Sequence, residues 1–302
     1  MKIAVIDIGS NSVRLMLWAD GKTLYKTLKT TRLGEGLSFS PRLSEEACLR
    51  TAQAVAEFCK EAEKAGAERV YAFATAAVRS AENREEFTEK VKQLCGLEVD
   101  VIDGVREAEI GLYGALGKLA GGQCGCDGQC DCCGIIDVGG ASTEVTVRKD
   151  GAVAYAQSVN IGTVRILDVA GRDLIKIDGF IGEKLNAFAP SDLSAANMYA
   201  VGGTASRLAS LKLSLKEYDA SAIDGTQLTY GEVRSFAERL TAMSVGQIRA
   251  ETLLTKSADL IGGGAALLAA VMKYFDINKV TVSESDNLEG YYMLKEGSNE
   301  KS

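Results

Sequence analysis

Two short stretches of this chain carry, at matching spacing, the residue types that bind a polyanion. Gly134 to Val147 reads Gly-Ile-Ile-Asp-Val-Gly-Gly-Ala-Ser-Thr-Glu-Val-Thr-Val, and Ala4 to Leu17 reads Ala-Val-Ile-Asp-Ile-Gly-Ser-Asn-Ser-Val-Arg-Leu-Met-Leu. They align without a gap, Asp7 on Asp137, Gly9 on Gly139 and Ser12 on Ser142. In each, an apolar strand ends at an aspartate, a glycine-containing turn follows and a second strand returns. Gly139 and Gly140 supply a turn that β-branched residues would not make. Backbone N–H groups of Gly9, Ser10, Asn11 and Ser12, and of Gly139, Gly140, Ala141, Ser142 and Thr143, suit phosphate oxygens together with the Ser and Thr hydroxyls. Asp137 and Glu144 offer hard oxygen ligands for Mg²⁺ or another divalent cation. Either loop alone is open to a plain hairpin reading. Two in register are an internal repeat, which predicts two related halves whose loops face each other across a cleft.

Further candidates lie where strands end. Arg69 to Ala74 reads as a strand running into Thr75-Ala-Ala-Val-Arg79, so Thr75 and Arg79 fall where open α/β sheets bind ligands, although Arg79 and Arg84 also suit a solvated helix face. Gly202-Gly203-Thr204 joins a strand at Met198 to Val201 to a helix whose positive N-terminus favours phosphate. Asp103, Glu107 and Glu109 open a helix that reaches about Leu119, and by composition alone they are a helix-dipole feature. The chain has no histidine. That excludes histidine triads, phosphohistidine intermediates and His-ligated zinc, leaving carboxylates, hydroxyls, thiols or metal to do the chemistry. A net charge of −7 argues against DNA or RNA as a partner, and an anionic substrate then needs a local basic patch or a metal ion.

The elements that must position these groups follow from periodicity. A third strand is expected at Thr23 to Thr31, and a helix capped by Ser44 carries apolar residues at Leu49, Ala52, Val55, Ala56 and Cys59. The later chain reads as a strand at Gly151 to Asn160, helix from Tyr230 to Leu254, a packed small-residue helix at Leu260 to Met272 that is too short to cross a membrane, and a last strand at Lys279 to Ser283. A chain of 302 residues favours two domains. The expected division is 1–120, with a C-terminal helix at 285–302 packing back on it, and 121–284, opening with a Cys-rich hairpin at 121–133. The N-terminus enters a strand at once, so no signal peptide is expected and a cytoplasmic location follows.

That hairpin, Cys124-Gly-Cys-Asp-Gly-Gln-Cys-Asp-Cys-Cys133, holds five of the eight cysteines. Strand alternation around an Asp127-Gly128-Gln129 turn puts Cys124, Cys126, Cys130 and Cys132 on one face. Two readings stay open, a redox-sensitive decoration and a site for Zn²⁺ or another soft metal, the spacings being unlike those of common zinc fingers. Cys48, Cys59 and Cys95 read as small core residues.

Seven ordered motifs resemble the exopolyphosphatase/guanosine pentaphosphate phosphohydrolase family of the actin-like ATPase superfamily. They are Asp7-Ile-Gly-Ser-Asn-Ser12 with Arg14, Arg32-Leu-Gly-Glu-Gly36, Thr75-Ala-Ala-Val-Arg79 with Asn83, Ile102-Asp-Gly-Val-Arg-Glu-Ala108, Asp137-Val-Gly-Gly-Ala-Ser-Thr-Glu144, Ile161-Gly-Thr-Val-Arg165 and Gly202-Gly-Thr204. The resemblance implies an α/β fold of two ribonuclease-H-like domains with an interdomain cleft. It also implies hydrolysis of terminal phosphate from inorganic polyphosphate or guanosine pentaphosphate, and a catalytic base at Glu107. Mg²⁺ would rest on Asp137 and Glu144, and Arg14 and Arg79 would act as cationic clamps. A homodimer is compatible with the family, and no membrane partner is expected. The chain departs from the pattern at Arg106, Ala141, Ser257 and Leu288, which bears on substrate choice. Two other classes remain: an ATP-dependent phosphotransferase of the same superfamily, and a non-catalytic guanosine tetraphosphate sensor.

Overall fold

The computed structural model describes residues 1–120, 132–194, 196–252 and 257–297. The chain forms two compact units, Met1–Glu107 with Tyr291–Ser302, and Ala108–Gly290.

The first unit begins with β1 (Lys2–Ile8), β2 (Ser12–Ala19) and β3 (Lys22–Thr30), followed by α1 (Glu45–Lys64), β4 (Arg69–Ala74), α2 (Ala76–Arg79), α3 (Arg84–Cys95), β5 (Val99–Val101) and the start of α4 (Gly104–Ala120). Its sheet has the order β3-β2-β1-β4-β5, an antiparallel meander continued by parallel strands. α1 starts where expected, the Ser44 side chain accepting from the Ala47 N–H. Its apolar face buries Ala52, Val55 and Phe58 against Ile6, Leu15 and Leu17 of the sheet.

The second unit holds β6 (Cys132–Val138), β7 (Thr143–Lys149), β8 (Ala152–Val159), α5 (Thr163–Ala170), α6 (Leu174–Leu185), β9 (Asn197–Val201), α7 (Gly202–Lys212), α8 (Ala220–Ile223), β10 (Gln227–Thr229), α9 (Tyr230–Ala242), α10 (Val245–Glu251), α11 (Ile261–Tyr274), β11 (Lys279–Ser283) and the start of α12 (Asn287–Gly297). The sheet order is β10-β11-β9-β6-β7-β8. The repeat extends from sequence to register: Asp7 pairs with Arg14 and Asp137 with Glu144, at equivalent places in their hairpins. The register also shifts at equivalent places, Leu17/Trp18 and Val147/Arg148. Meander followed by parallel strands is the ribonuclease-H-like order, and both sheets have it.

Two local expectations need correction. The helix expected from Tyr230 onward is broken at Met243 and Ser244, because Ser244 with Gln247 forms a capping box that starts α10. The three-residue strand β10 carried too short a pattern to be read. The small-residue run does form a buried helix, α11, and among the described residues no helix is long and apolar enough to cross a membrane.

Within the second unit α4 and α12 cross at contact distance. A Cβ on Gly114 would lie 1.8 Å from Asp286 O, and one on Gly290 would lie 1.7 Å from Ile110 O. In the first unit, Tyr291 stacks on Phe73 at 4.5 Å, its hydroxyl donates to Asp100 at 2.9 Å, and Tyr292 lies 4.6 Å from Trp18. Because backbone atoms cannot yield as a side chain does, Gly114→Ala is expected to destabilise the protein by about 3 kcal/mol or more. Urea unfolding checks this, and a loss below about 1 kcal/mol would mean the crossing is looser than described.

Candidate active site

In the first unit the turn between β1 and β2 is closed by the Gly9 N–H donating to Ser12 O at 3.1 Å. The Arg32-Leu-Gly-Glu-Gly36 stretch holds that turn by its backbone. Thr31 and Arg32 N–H groups donate to Asn11 O at 3.0 and 2.9 Å, and Gly34 N–H to Ser10 O at 2.8 Å. The second unit repeats the device. Gly139 N–H donates to Ser142 O at 3.0 Å, while Thr163 N–H donates to Gly139 O and Val164 N–H to Gly140 O at 2.9 and 2.8 Å. The Arg165 guanidinium donates to Ala141 O at 2.9 Å. A peptide group is planar and trans, so a carbonyl held on one side turns the following N–H to the other. In both loops the amides that follow the held carbonyls therefore point away from the segments that hold them.

The glycines serve a different purpose from the one expected. Neither Gly9 nor Gly139 is in the left-handed region; a Cβ on either would come within 3.1 or 3.0 Å of the carbonyl that closes its turn. Ala141 is tolerated for the same reason, its backbone being ordinary and its methyl buried at 1% exposure.

Beside the first turn, Arg14 donates to Asp7 through Nε at 2.9 Å, forming a cross-strand ion pair. Thr75 precedes α2 but does not cap it with its side chain; its hydroxyl hydrogen-bonds Glu107 instead. Arg79, at the end of α2, donates to Glu107 Oε2 at 2.6 Å and to Ile102 O at 3.1 Å. Of the three acidic residues opening α4, Asp103 caps it, accepting from the Arg106 N–H at 2.8 Å, while Glu107 turns inward with its side chain 7% exposed. Burial pushes the Glu107 carboxyl up to about 7; Arg79 and Thr75 oppose this and Asp7 adds to it. Asn83 is a strut, exchanging two hydrogen bonds with the Leu43 backbone.

In the second unit Asp137, next to the last residue of β6, accepts from Asn287 Nδ2 at 3.3 Å. Gly202, at φ +81°, brings the start of α7 so near that a Cβ there would lie 2.7 Å from Asp137 Oδ1. Glu144 lies opposite Asp137 on the same sheet face, 1% exposed, and accepts from the Ser158 hydroxyl at 2.6 Å. The Thr143 hydroxyl donates to Ile161 O at 2.7 Å, and Thr204 packs against Gly264 of α11, so both are placed as supports of the loop. Cys132 is the first residue of β6; Cys124, Cys126 and Cys130 lie outside the described residues. Among the described residues no group of three or more Cys, Asp or Glu side chains forms a metal cluster. Asn287 and Ser158 carried no recognisable motif; only the cluster of polar residues at Ser283 to Asn287, unusual after a strand, marked the former.

Residues 17–298 match the model of the Ppx/GppA phosphatase family. The chain belongs to that family. Exopolyphosphatase 2 of Mycobacterium tuberculosis is 29% identical over 316 residues, covering 96% of this chain and 97% of that protein. A bifunctional 3-dehydroquinate synthase/phosphatase of Fusobacterium nucleatum is 28% identical over 95% of this chain, which spans 45% of that protein's length. A guanosine-5'-triphosphate,3'-diphosphate pyrophosphatase of Photobacterium profundum is 28% identical, this chain spanning 58% of its length. The crystal structure of an exopolyphosphatase-like protein superposes with a TM-score of 0.88 at 27% identity, covering 99% of both chains. That of an Aquifex aeolicus Ppx/GppA family member gives 0.76 at the same identity.

The Glu107 environment has a measurable signature in stability. Its carboxyl is raised above the ordinary value near 4.5 to about 7, so burying it carries no charge penalty below about pH 4.5 and a growing one up to pH 7. Relative to the wild type, Glu107→Gln is therefore expected to gain stability between pH 5 and pH 8, compared as urea midpoints. A pH-independent difference would place the carboxyl in a more polar setting.

Proposed function

We propose that this Ppx/GppA chain is a phosphoanhydride hydrolase that releases the terminal phosphate of inorganic polyphosphate, of guanosine pentaphosphate, or of both. The observation that carries this reading is Glu107, a buried carboxyl held by Arg79 and Thr75 and titrating near 7, in a chain without histidine. A base poised near the working pH is what proton removal from water requires. Glu107 accepts the proton as the water oxygen bonds to phosphorus and the anhydride P–O bond breaks, the remaining chain leaving as the phosphate anion. No covalent phosphoenzyme is needed. Within each unit the amides that follow the held carbonyls, Asn11 and Ser12 in one turn and Gly140, Ala141 and Ser142 in the other, suit phosphoryl oxygens, and Arg14 and Arg79 add positive charge in the first unit. The names of the mycobacterial and Photobacterium relatives support the same reaction class.

Asp137 and Glu144 suit a divalent cation, since cross-strand partners on one face bring two carboxyl groups within about 5 Å, and Mg²⁺ uses one or two carboxylates with waters and phosphate oxygens. Such an ion, when bound, neutralises charge on the phosphoryl oxygens.

Phosphate release from both substrates is the direct test. Glu107→Gln is expected to lower kcat by about 100-fold or more, and the wild-type kcat/KM to rise with pH through about 7 as the carboxyl loses its proton. A substituted enzyme as fast as the wild type would remove Glu107 as the base. Chelation with EDTA is expected to abolish turnover and added Mg²⁺ to restore it; full activity in chelator would exclude the cation.

A further inference from the structure

Asp137 and Glu144 are each tied by an uncharged side chain from another element of the second unit. Asn287 Nδ2 donates to Asp137 Oδ2 at 3.3 Å, and Ser158, opposite Glu144 in the β7–β8 register, donates to Glu144 Oε1 at 2.6 Å. A donor on one oxygen restricts the rotation of a carboxylate, so both groups are oriented.

The sequence Asp286-Asn287-Leu288-Glu289 sets Asn287 in place by capping α12 reciprocally. Asp286 Oδ1 accepts from the Leu288 N–H at 3.1 Å, and Glu289 Oε2 accepts from the Asp286 N–H at 3.1 Å. The Gly290 N–H closes the first turn on Asp286 O at 3.0 Å. α4 presents Gly111 to this turn, where a Cβ would lie 2.8 Å from Asn287 Oδ1 and push the amide aside.

An amide at this place is unfavourable in itself. Asn287 is 4% exposed, and among the described residues its Oδ1 accepts no hydrogen bond. A leucine has nearly the same shape and would leave no orphaned oxygen, so packing alone does not call for asparagine. Local rules are broken in this way where function requires it. The one side-chain hydrogen bond the amide makes is the one to Asp137.

We propose that Asn287 is a positioning residue for the divalent cation of the hydrolase, fixing the orientation in which the Asp137 carboxylate meets the ion. Being neutral, it orients that carboxylate without competing for the cation. The proposal rests on the hydrolase reading and adds to it a residue outside the seven motifs.

Mn²⁺ binding to the full-length chain, followed by electron paramagnetic resonance without substrate, is the test. The relevant site is the one lost in Asp137→Asn. Asn287→Leu is expected to raise its dissociation constant about tenfold or more, the effect of losing a group that orients a metal-binding side chain, while the urea midpoint stays near that of the unsubstituted chain. Asn287→Ala is expected to weaken Mn²⁺ binding as much, and it carries the test if the leucine variant does not fold. In turnover, the Mg²⁺ concentration for half-maximal rate is expected to rise similarly, with the Michaelis constant for tripolyphosphate at saturating Mg²⁺ changing less than about twofold. An Mn²⁺ affinity unmoved in the folded variants, or an unsubstituted chain with no Mn²⁺ site that Asp137→Asn removes, overturns the proposal. A Michaelis constant raised as much as the Mg²⁺ requirement makes Asn287 a packing residue and overturns it too. Mn²⁺ binding weakened in Asn287→Leu, with no phosphate release by the unsubstituted chain, refutes the hydrolase and keeps the positioning role. Mg²⁺-dependent phosphate release with an unmoved Mn²⁺ affinity does the reverse.

Discussion

The arrangement on which the rest depends is the capture of turn carbonyls by a neighbouring loop. A hairpin turn left to itself has several ways to orient its peptide planes, and only some present amides in one direction. In the first half of this protein the segment after β3 removes that freedom with three N–H donors; in the second half the start of α5 does so with three more, helped by the Arg165 guanidinium. The N-terminus of α5 is therefore spent on the protein's own carbonyls. Its dipole acts at one remove, by polarising the peptide groups of the turn whose amides face outward.

A second constraint sits at Glu107. Burying a carboxyl is unfavourable unless it is protonated or paired, and here both remedies are partly applied: Arg79 and Thr75 bond to it while burial keeps its proton affinity high. The outcome is a group balanced between its two states near neutrality.

Much of this was legible in the residues because it is local. The strand from Arg69 to Ala74, the Ser44 cap and the two hairpins depend on near neighbours, and the internal repeat exposed their common register. What escaped was decided at a distance. Composition made Glu107 a helix-dipole residue, because its partner Arg79 lies 28 positions away, and Asn287 reaches Asp137 across 150. The turn glycines were misread in mechanism, since alternation and turn chemistry speak of φ and ψ whereas the actual demand is room beside a carbonyl. The Thr143 hydroxyl bonds Ile161 O, 18 positions away, a partner the local pattern did not reveal.

The first unit is not a continuous piece of chain. It consists of the opening 107 residues and a short segment beginning at Tyr291, whose aromatic rings cover Phe73 and Trp18. During synthesis this unit emerges first and is finished last, after the whole of the second unit has left the ribosome. Until then Phe73 and Trp18 stand uncovered, and the nascent first unit carries an apolar surface that its own later residues must reach before another chain does.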